Sequence, residues 1–326
     1  MRLTMTCWDY DRVLPLIDGR VSVPGVEIAV TVQYPTQIFA RAFTEAPFDI
    51  SELSASTYVM QLAKGVCPYV ALPAYLSRAF RHGGFYLRQG SGIEAPKDLE
   101  GRLVGVPEYQ MTMALWARGL LADEYDVDTD LIRYRSGGLN QAGRKERLAL
   151  DLPAHMDVAP VAEGRALNEL LIAGELDAVI APAPPDAFAD GSGRVTRLFA
   201  DVRAAERDYY ARTGIFPIMH LVGIRRELTD AHPGLARAVY DALLECRRIA
   251  MAELEVTATA SANRIHLPWL SAEWEDTRAL MGADYWPYGV ARNRQALDAL
   301  CRYSVAQHLA PVRLDPDRLF HPETLD

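Results

Sequence analysis

Apolar and β-branched residues fall in short dense runs that alternate with amphipathic stretches, the pattern of buried strands interleaved with helices. RLTMTC over 2–7 and VEIAVTV over 26–32 predict two strands joined by DYDRVLPLIDGR, a β-α-β opening. Pro35 marks a helix start, with Ile38, Phe39, Ala42 and Phe43 at helical spacing behind it. FDISELS leads into a third strand, and YVALPAYLSRAFRHGGFYLRQG reads as two more, joined by a turn near Gly83-Gly84. A second register begins at APKDLEGRLVGVPEYQ, with a helical turn from Asp98 to Gly101, the strand RLVGV and a helix striped by Met113, Trp116, Ala117, Leu120 and Leu121. ELDAVIAP around Asp177 and RVTRLFAD predict further strands. From about His220, HLVGIRREL predicts a strand that returns to the first lobe. A long amphipathic helix marked by Leu235, Val239, Leu243, Cys246 and Ala250 follows, and the last eighty residues read as helical.

This order predicts an α/β protein of two lobes. The first is discontinuous (1–95 and 220–326), the second is inserted (96–219), and a ligand cleft lies between them where strand ends face a crevice. A length of 326 residues is enough for two cores. Acidic residues outnumber basic ones 43 to 34, a net charge of −9, which argues against nucleic-acid and anionic-membrane partners. The N-terminal MRLTMTCWDYDRVLPL lacks an unbroken apolar export core, and no run reaches the roughly 18 residues of a membrane span, so a cytoplasmic location is expected. Cys7, Cys67, Cys246 and Cys301 are far apart and form no CxxC pair. The histidines at 82, 155, 220, 232, 266, 308 and 321 form no HxH or HExxH pair, so a metal site would have to be assembled across the fold, and none is expected. GxSxG, GxxxxGK[ST] and GxGxxG are all missing, which removes the usual supports for hydrolase, kinase and dehydrogenase readings; no cofactor is expected.

Four segments carry candidate chemistry. Between Gly105 and Thr112 the chain leaves a strand and opens a helix, so the amides of Tyr109, Gln110, Met111 and Thr112 offer an anion site at the positive end of the helix dipole, or else an ordinary cap. Glu108 and Tyr109 at a crevice lip favour function. Arg78, Arg81 and His82 put two guanidinium forks and an imidazole within five residues, suited to carboxylates and proton transfer, although surface charge at a hairpin end reads equally from the same residues. Ser54 and Ser56 follow a strand at a helix start, as carboxylate ligands or caps. His220 falls where the chain crosses back between lobes, as a cleft residue or a satisfied core histidine.

Taken together, DYDRVLPLIDGR, FDISELSASTY, CPYVALPAYLSRAFRH, GVPEYQMTMALWARGLLADEY, RTGIFPIMH and LFHPETLD resemble the 4,5-dihydroxyphthalate decarboxylase family nearly end to end. The resemblance implies the type 2 periplasmic-binding-protein-like fold, two mixed sheets flanked by helices. It also implies a cytoplasmic carboxy-lyase of phthalate breakdown that converts 4,5-dihydroxyphthalate to protocatechuate and CO2 without a cofactor. On that reading Arg78 and Arg81 bind the carboxylates, assisted by the amides from Tyr109 to Thr112 and by Ser54 or Ser56. His82 and Glu108 are the proton-transfer candidates, with His220 in reserve. One departure from the family pattern is Ala181-Pro182-Ala183-Pro184-Pro185, where an arginine is expected, which leaves a related aromatic acid open as substrate. The second reading is a non-catalytic solute-binding or sensor protein for a small aromatic carboxylate or pyrimidine-like ligand, because most proteins of this fold only bind. Association into a homo-oligomer is compatible with either.

Overall fold

The computed structural model describes residues 1–325. Its strands run in chain order as β1 (Arg2–Cys7), β2 (Glu27–Val32), β3 (Ile50–Ser54), β4 (Tyr69–Arg78), β5 (Phe85–Arg88), β6 (Leu103–Val106), β7 (Arg133–Ser136), β8 (Val158–Pro160), β9 (Ala178–Ile180), β10 (Val195–Arg197) and β11 (Ile218–Arg225). They form two mixed sheets, ordered β2-β1-β3-β11-β4 and β10-β5-β9-β6-β7-β8. In the first, β1 pairs parallel with β2 and β3, whereas β11 runs antiparallel between β3 and β4. Every residue of β3 is buried, as expected for a strand covered on both faces.

The chain passes from the first sheet to the second between β4 and β5 and returns through the helix Val202–Thr213 into β11. Phe85–Arg88, expected within the first lobe, pairs instead with β9 and β10 in the six-stranded sheet. The sequence shows a hairpin-like turn near Gly83-Gly84, but that turn is the crossing itself: the backbone N–H of Ala181, just beyond β9, donates to Gly84 C=O at 3.0 Å. Strands β7 and β8 carry no hydrophobic signature in sequence, being four and three residues long with two arginines in the former.

Two helices begin at the cleft, Ala55–Ala63 directly after β3 and Thr112–Tyr125 six residues after β6. The C-terminal helix Arg294–Ala306 packs against both, one from each lobe. Gly119 permits this close approach, since a Cβ there would lie 2.3 Å from the Tyr303 ring. Arg118, fully buried, donates from Nε to Gln307 Oε1 and from Nη2 to Tyr109 C=O, both at 2.7 Å. One continuous apolar core therefore runs from the first sheet through Thr112–Tyr125, and a smaller one, including Tyr86, Leu167 and Val179, backs the outer face of the second sheet. No helix among the described residues is long and apolar enough to cross a membrane.

Candidate active site

Glu52 is the central buried group. The strand β3 carries it into the core with no exposure, and a lone carboxylate there must be satisfied by donors. Its Oε2 accepts from Trp8 N–H at 3.0 Å, and its Oε1 accepts from the Tyr10 hydroxyl at 2.7 Å. The same Oε1 lies 2.6 Å from His220 Nδ1. A carboxylate only accepts, so Nδ1 carries the proton and Nε2 is the nitrogen left for the cleft. Burial and the neighbouring Glu52 both push the Tyr10 phenol upward, which keeps it a hydrogen-bond donor. The Phe39 ring stands edge-on to the His220 imidazole at 4.8 Å and fixes its plane.

This imidazole opens into a cavity of about 200 Å³ bounded by both lobes. Trp8, Tyr34 and Phe39 supply aromatic surface, Ser54, Ser77 and Thr112 supply hydroxyls, and Arg81, Arg144 and Arg147 supply positive charge. Its size fits one substituted ring, below the ~300 Å³ lower end typical of drug-sized sites. It opens through shared residues Thr36, Arg144 and Arg147 into an outer recess of about 590 Å³.

Arginines 144 and 147 come from the loop between β7 and β8, and Glu108 holds them in place. Oε1 of Glu108 accepts from Arg144 Nε at 2.9 Å and Nη2 at 2.5 Å, and its Oε2 accepts from Arg147 Nε at 2.6 Å. Burial pushes the Glu108 carboxyl up, but Arg147 and Arg144 outweigh it and leave Glu108 below the usual carboxylate range. It is therefore ionised at neutral pH and is not a proton donor. Arg147 Nη1 is buried without a partner, next to the cavity.

The same loop answers the expected anion site. Glu146 accepts the backbone N–H groups of both Tyr109 and Gln110, and its Oε2 accepts from Gln110 Nε2 at 2.9 Å. The amides read as a substrate cradle thus already bind a carboxylate of the chain itself. Tyr109 is core, its ring stacked 3.7 Å from the Arg118 guanidinium carbon. Gln110 anchors the loop through Leu148 C=O. Only Met111 and Thr112 of this segment reach the cavity.

The remaining expected residues divide. Arg81 lines the cavity, donates from Nε to Met219 Sδ at 3.1 Å, and is lowered by burial to about 10, so it stays charged. Ser54 also lines it, and its hydroxyl meets Thr112 Oγ1 at 2.9 Å, where the two helix starts touch. Ser56 lies behind them, donating to Gln110 C=O. Arg78 faces away: it bonds Asn293 Oδ1 and borders a separate recess with Tyr210 and Phe216. His82 is buried among Phe199 and Tyr209, at 5.2 and 5.4 Å between ring centres, and burial lowers it to about 4. It is a neutral core histidine, and the proton-transfer role expected of it does not fit its position. Arg78, Arg81, His82 and Glu108 do not share one pocket. Strand β4 ends at Arg78, so the strand expected to run on to the turn at Gly83-Gly84 stops short of Arg81 and His82.

The groups missed in sequence are Glu52, Tyr10, Arg144 and Arg147. RKER at 144–147 matches no motif, and Glu52 falls inside the strand expected from FDISELS, so neither announces a site.

No family model matches this chain. It is 40% identical over 326 residues to a 4,5-dihydroxyphthalate decarboxylase from Comamonas testosteroni, covering 100% of this chain and 98% of the relative. A second protein of that name, from Pseudomonas putida, is 40% identical over 210 residues, 64% of this chain and 81% of that one. Among solved structures, a putative periplasmic sulfonate-binding protein from Methylobacillus flagellatus superposes with a TM-score of 0.56 at 12% identity, over 99% of this chain and 92% of that one. That likeness establishes the periplasmic-binding-protein-like fold.

Proposed function

The chain belongs to the 4,5-dihydroxyphthalate decarboxylase family, and from that premise we propose that its cleft catalyses the non-oxidative loss of CO2 from 4,5-dihydroxyphthalate, giving 3,4-dihydroxybenzoate. The observation that carries the reading is the Glu52–His220 pair facing a cavity ringed by three arginines and aromatic side chains.

The chemistry asks for a proton on the ring carbon before CO2 departs, since direct cleavage would leave an aryl carbanion. A hydroxyl para to the departing carboxylate gives up its proton and supplies the electron pair. Protonated His220 delivers its Nε2 proton to the carbon bearing the carboxylate. The C–C bond then breaks, its electrons return through the ring to the oxygen, and that oxygen regains a proton. One proton is consumed overall and one CO2 is released. Glu52 stabilises the imidazolium and fixes its tautomer, as a buried carboxylate does behind other catalytic histidines. Arg81, Arg144 and Arg147 hold the two carboxylates, and Trp8, Tyr34 and Phe39 bed the ring. The arginine missing from Ala181–Pro185 is replaced in charge by Arg144 and Arg147, while Pro182 lines the cavity wall.

The test is CO2 release from purified protein given 4,5-dihydroxyphthalate, with phthalate and 3,4-dihydroxybenzoate as controls. Stoichiometric CO2 from the first alone supports the reading. Tight binding of the first without turnover would instead leave a binding protein.

A further inference from the structure

Three side chains far apart in sequence, Asp130, His155 and His308, meet outside the cleft. Asp130 lies in the short turn ahead of β7, His155 in the loop ahead of β8, and His308 just past the C-terminal helix. Their ligating atoms all lie within 4.8 Å of one another. Asp130 Oδ2 is 2.9 Å from His308 Nε2 and 3.4 Å from His155 Nε2. His308 sits in the left-handed region at φ 62°, which ends the helix and turns its ring toward Asp130.

We propose that Asp130, His155 and His308 bind a divalent transition-metal ion of the zinc class, which ties the second lobe to the C-terminal segment. Two imidazoles and one carboxylate are a donor set that such ions favour, with a fourth position left for water. Ligand bonds of about 2.0–2.1 Å in a tetrahedron place ligating atoms roughly 3.3 Å apart. The two separations at Asp130, 2.9 and 3.4 Å, bracket that edge. Closing the third edge asks only a small rotation of His155, whose side chain is 60% exposed. An ion can enter from solvent, since Asp130 and His308 are also partly exposed. The spacing of histidines along the chain gives no hint of such a site, because its members are contributed by three separate loops.

The site would brace the cleft. His308 follows Gln307, whose side chain accepts from Arg118 and whose C=O accepts from the Tyr109 hydroxyl at 3.4 Å. Tyr109 adjoins Glu108, the residue holding Arg144 and Arg147. Binding here would therefore stiffen the contact between the lobes.

Full-length protein stripped with a chelator and titrated calorimetrically with ZnCl2 should take up one ion per chain with saturation. His155→Ala and His308→Ala should each weaken uptake by at least about tenfold, and Asp130→Asn likewise, whereas His232→Ala, on an unrelated exposed loop, should not. Cobalt in place of zinc should give the visible absorption of a four- or five-coordinate ion. At a zinc concentration a hundredfold above Kd the melting temperature should rise by about 5 °C, and His155→Ala should abolish the rise. Absence of saturable uptake overturns the proposal, as does uptake that survives both histidine substitutions in variants with unchanged circular dichroism.

Discussion

Replacing Glu52 by Gln keeps the side chain's shape while removing its charge, which isolates the role assigned to it. Oε1 and Oε2 together accept three donors, from His220 Nδ1, Tyr10 and Trp8, at 2.6, 2.7 and 3.0 Å. A glutamine amide has one acceptor and one donor end. With its oxygen toward His220 it opposes an N–H to Trp8 N–H; reversed, it donates to Nδ1 and moves the ring proton to Nε2 in the neutral imidazole. Both orientations remove the negative charge that faces an imidazolium. At an effective dielectric of about 20, unit charges about 4 Å apart interact by about 4 kcal/mol. At about 1.36 kcal/mol per decade this corresponds to a loss of roughly a thousandfold in kcat. KM should move little, since Glu52 is fully buried and does not border the cavity. Because the two residues act as one unit, His220→Gln should cost a similar factor and the double variant scarcely more. The assay is initial rate of CO2 release over a range of 4,5-dihydroxyphthalate concentrations, with thermal melts to confirm folding. A Glu52→Gln protein turning over within about threefold of the parent would refute the argument.

Arg147→Met should raise KM at least about tenfold with a smaller change in kcat, since a fixed charge-assisted bond to a carboxylate contributes about 1.5–3 kcal/mol; equal affinity by calorimetry would remove Arg147 from substrate binding. Glu108→Gln strands two arginines, one of them nearly buried, and should cost about 3 kcal/mol or more of stability in chemical denaturation while also raising KM. Because Glu108 is held below its ordinary value of 4.5, its contribution is complete above that pH and is lost as pH falls from there through the lower folded value, so the parent's acid-induced loss should be steeper than the variant's. His82→Phe should leave kcat within about threefold, the consequence of a side chain packed among aromatic rings away from the cavity. With His82 at about 4 when folded and 6.5 otherwise, the unfolded chain takes up a proton first, so stability falls as pH drops across that window; the variant should lack that slope in pH-dependent melts.

Long periodic elements were legible. The strands β1, β2, β3 and β11, the helix Thr112–Tyr125 and the helix beginning at Leu235 announce themselves by β-branched runs or a striped face, and their order alone specifies two sheets with a crossing. The fold of the cleft followed, but its occupants did so only in part. His220, Arg81, Ser54, Met111 and Thr112 border the cavity as expected. Arg78 and His82 do not, because the chain leaves strand geometry after Arg78 and no local pattern marks that point. Glu108 stands beside the site but as an ionised anchor instead of the expected proton donor: its state is set by arginines 36 and 39 residues later, which sequence proximity does not reveal. Glu52 was hidden for the opposite reason. A carboxylate in a strand that is otherwise buried is improbable on hydrophobic pattern alone, and its donors Trp8 and Tyr10 lie over 40 residues upstream. The helix-start amides at Tyr109 and Gln110 do bind a carboxylate, that of Glu146, so the physics of the segment was legible while the identity of its partner was not.

The central claim is that a proton carried by His220 replaces a carboxylate on the substrate ring. Nuclear magnetic resonance of the reaction run in deuterium oxide tests it most directly. The account predicts 3,4-dihydroxybenzoate with a single deuterium at the carbon that lost its carboxylate, and a rate lower by about 10² to 10⁴ in the His220→Gln protein. Product formed at an undiminished rate by that variant, or substrate recovered unchanged from the parent enzyme, would contradict it.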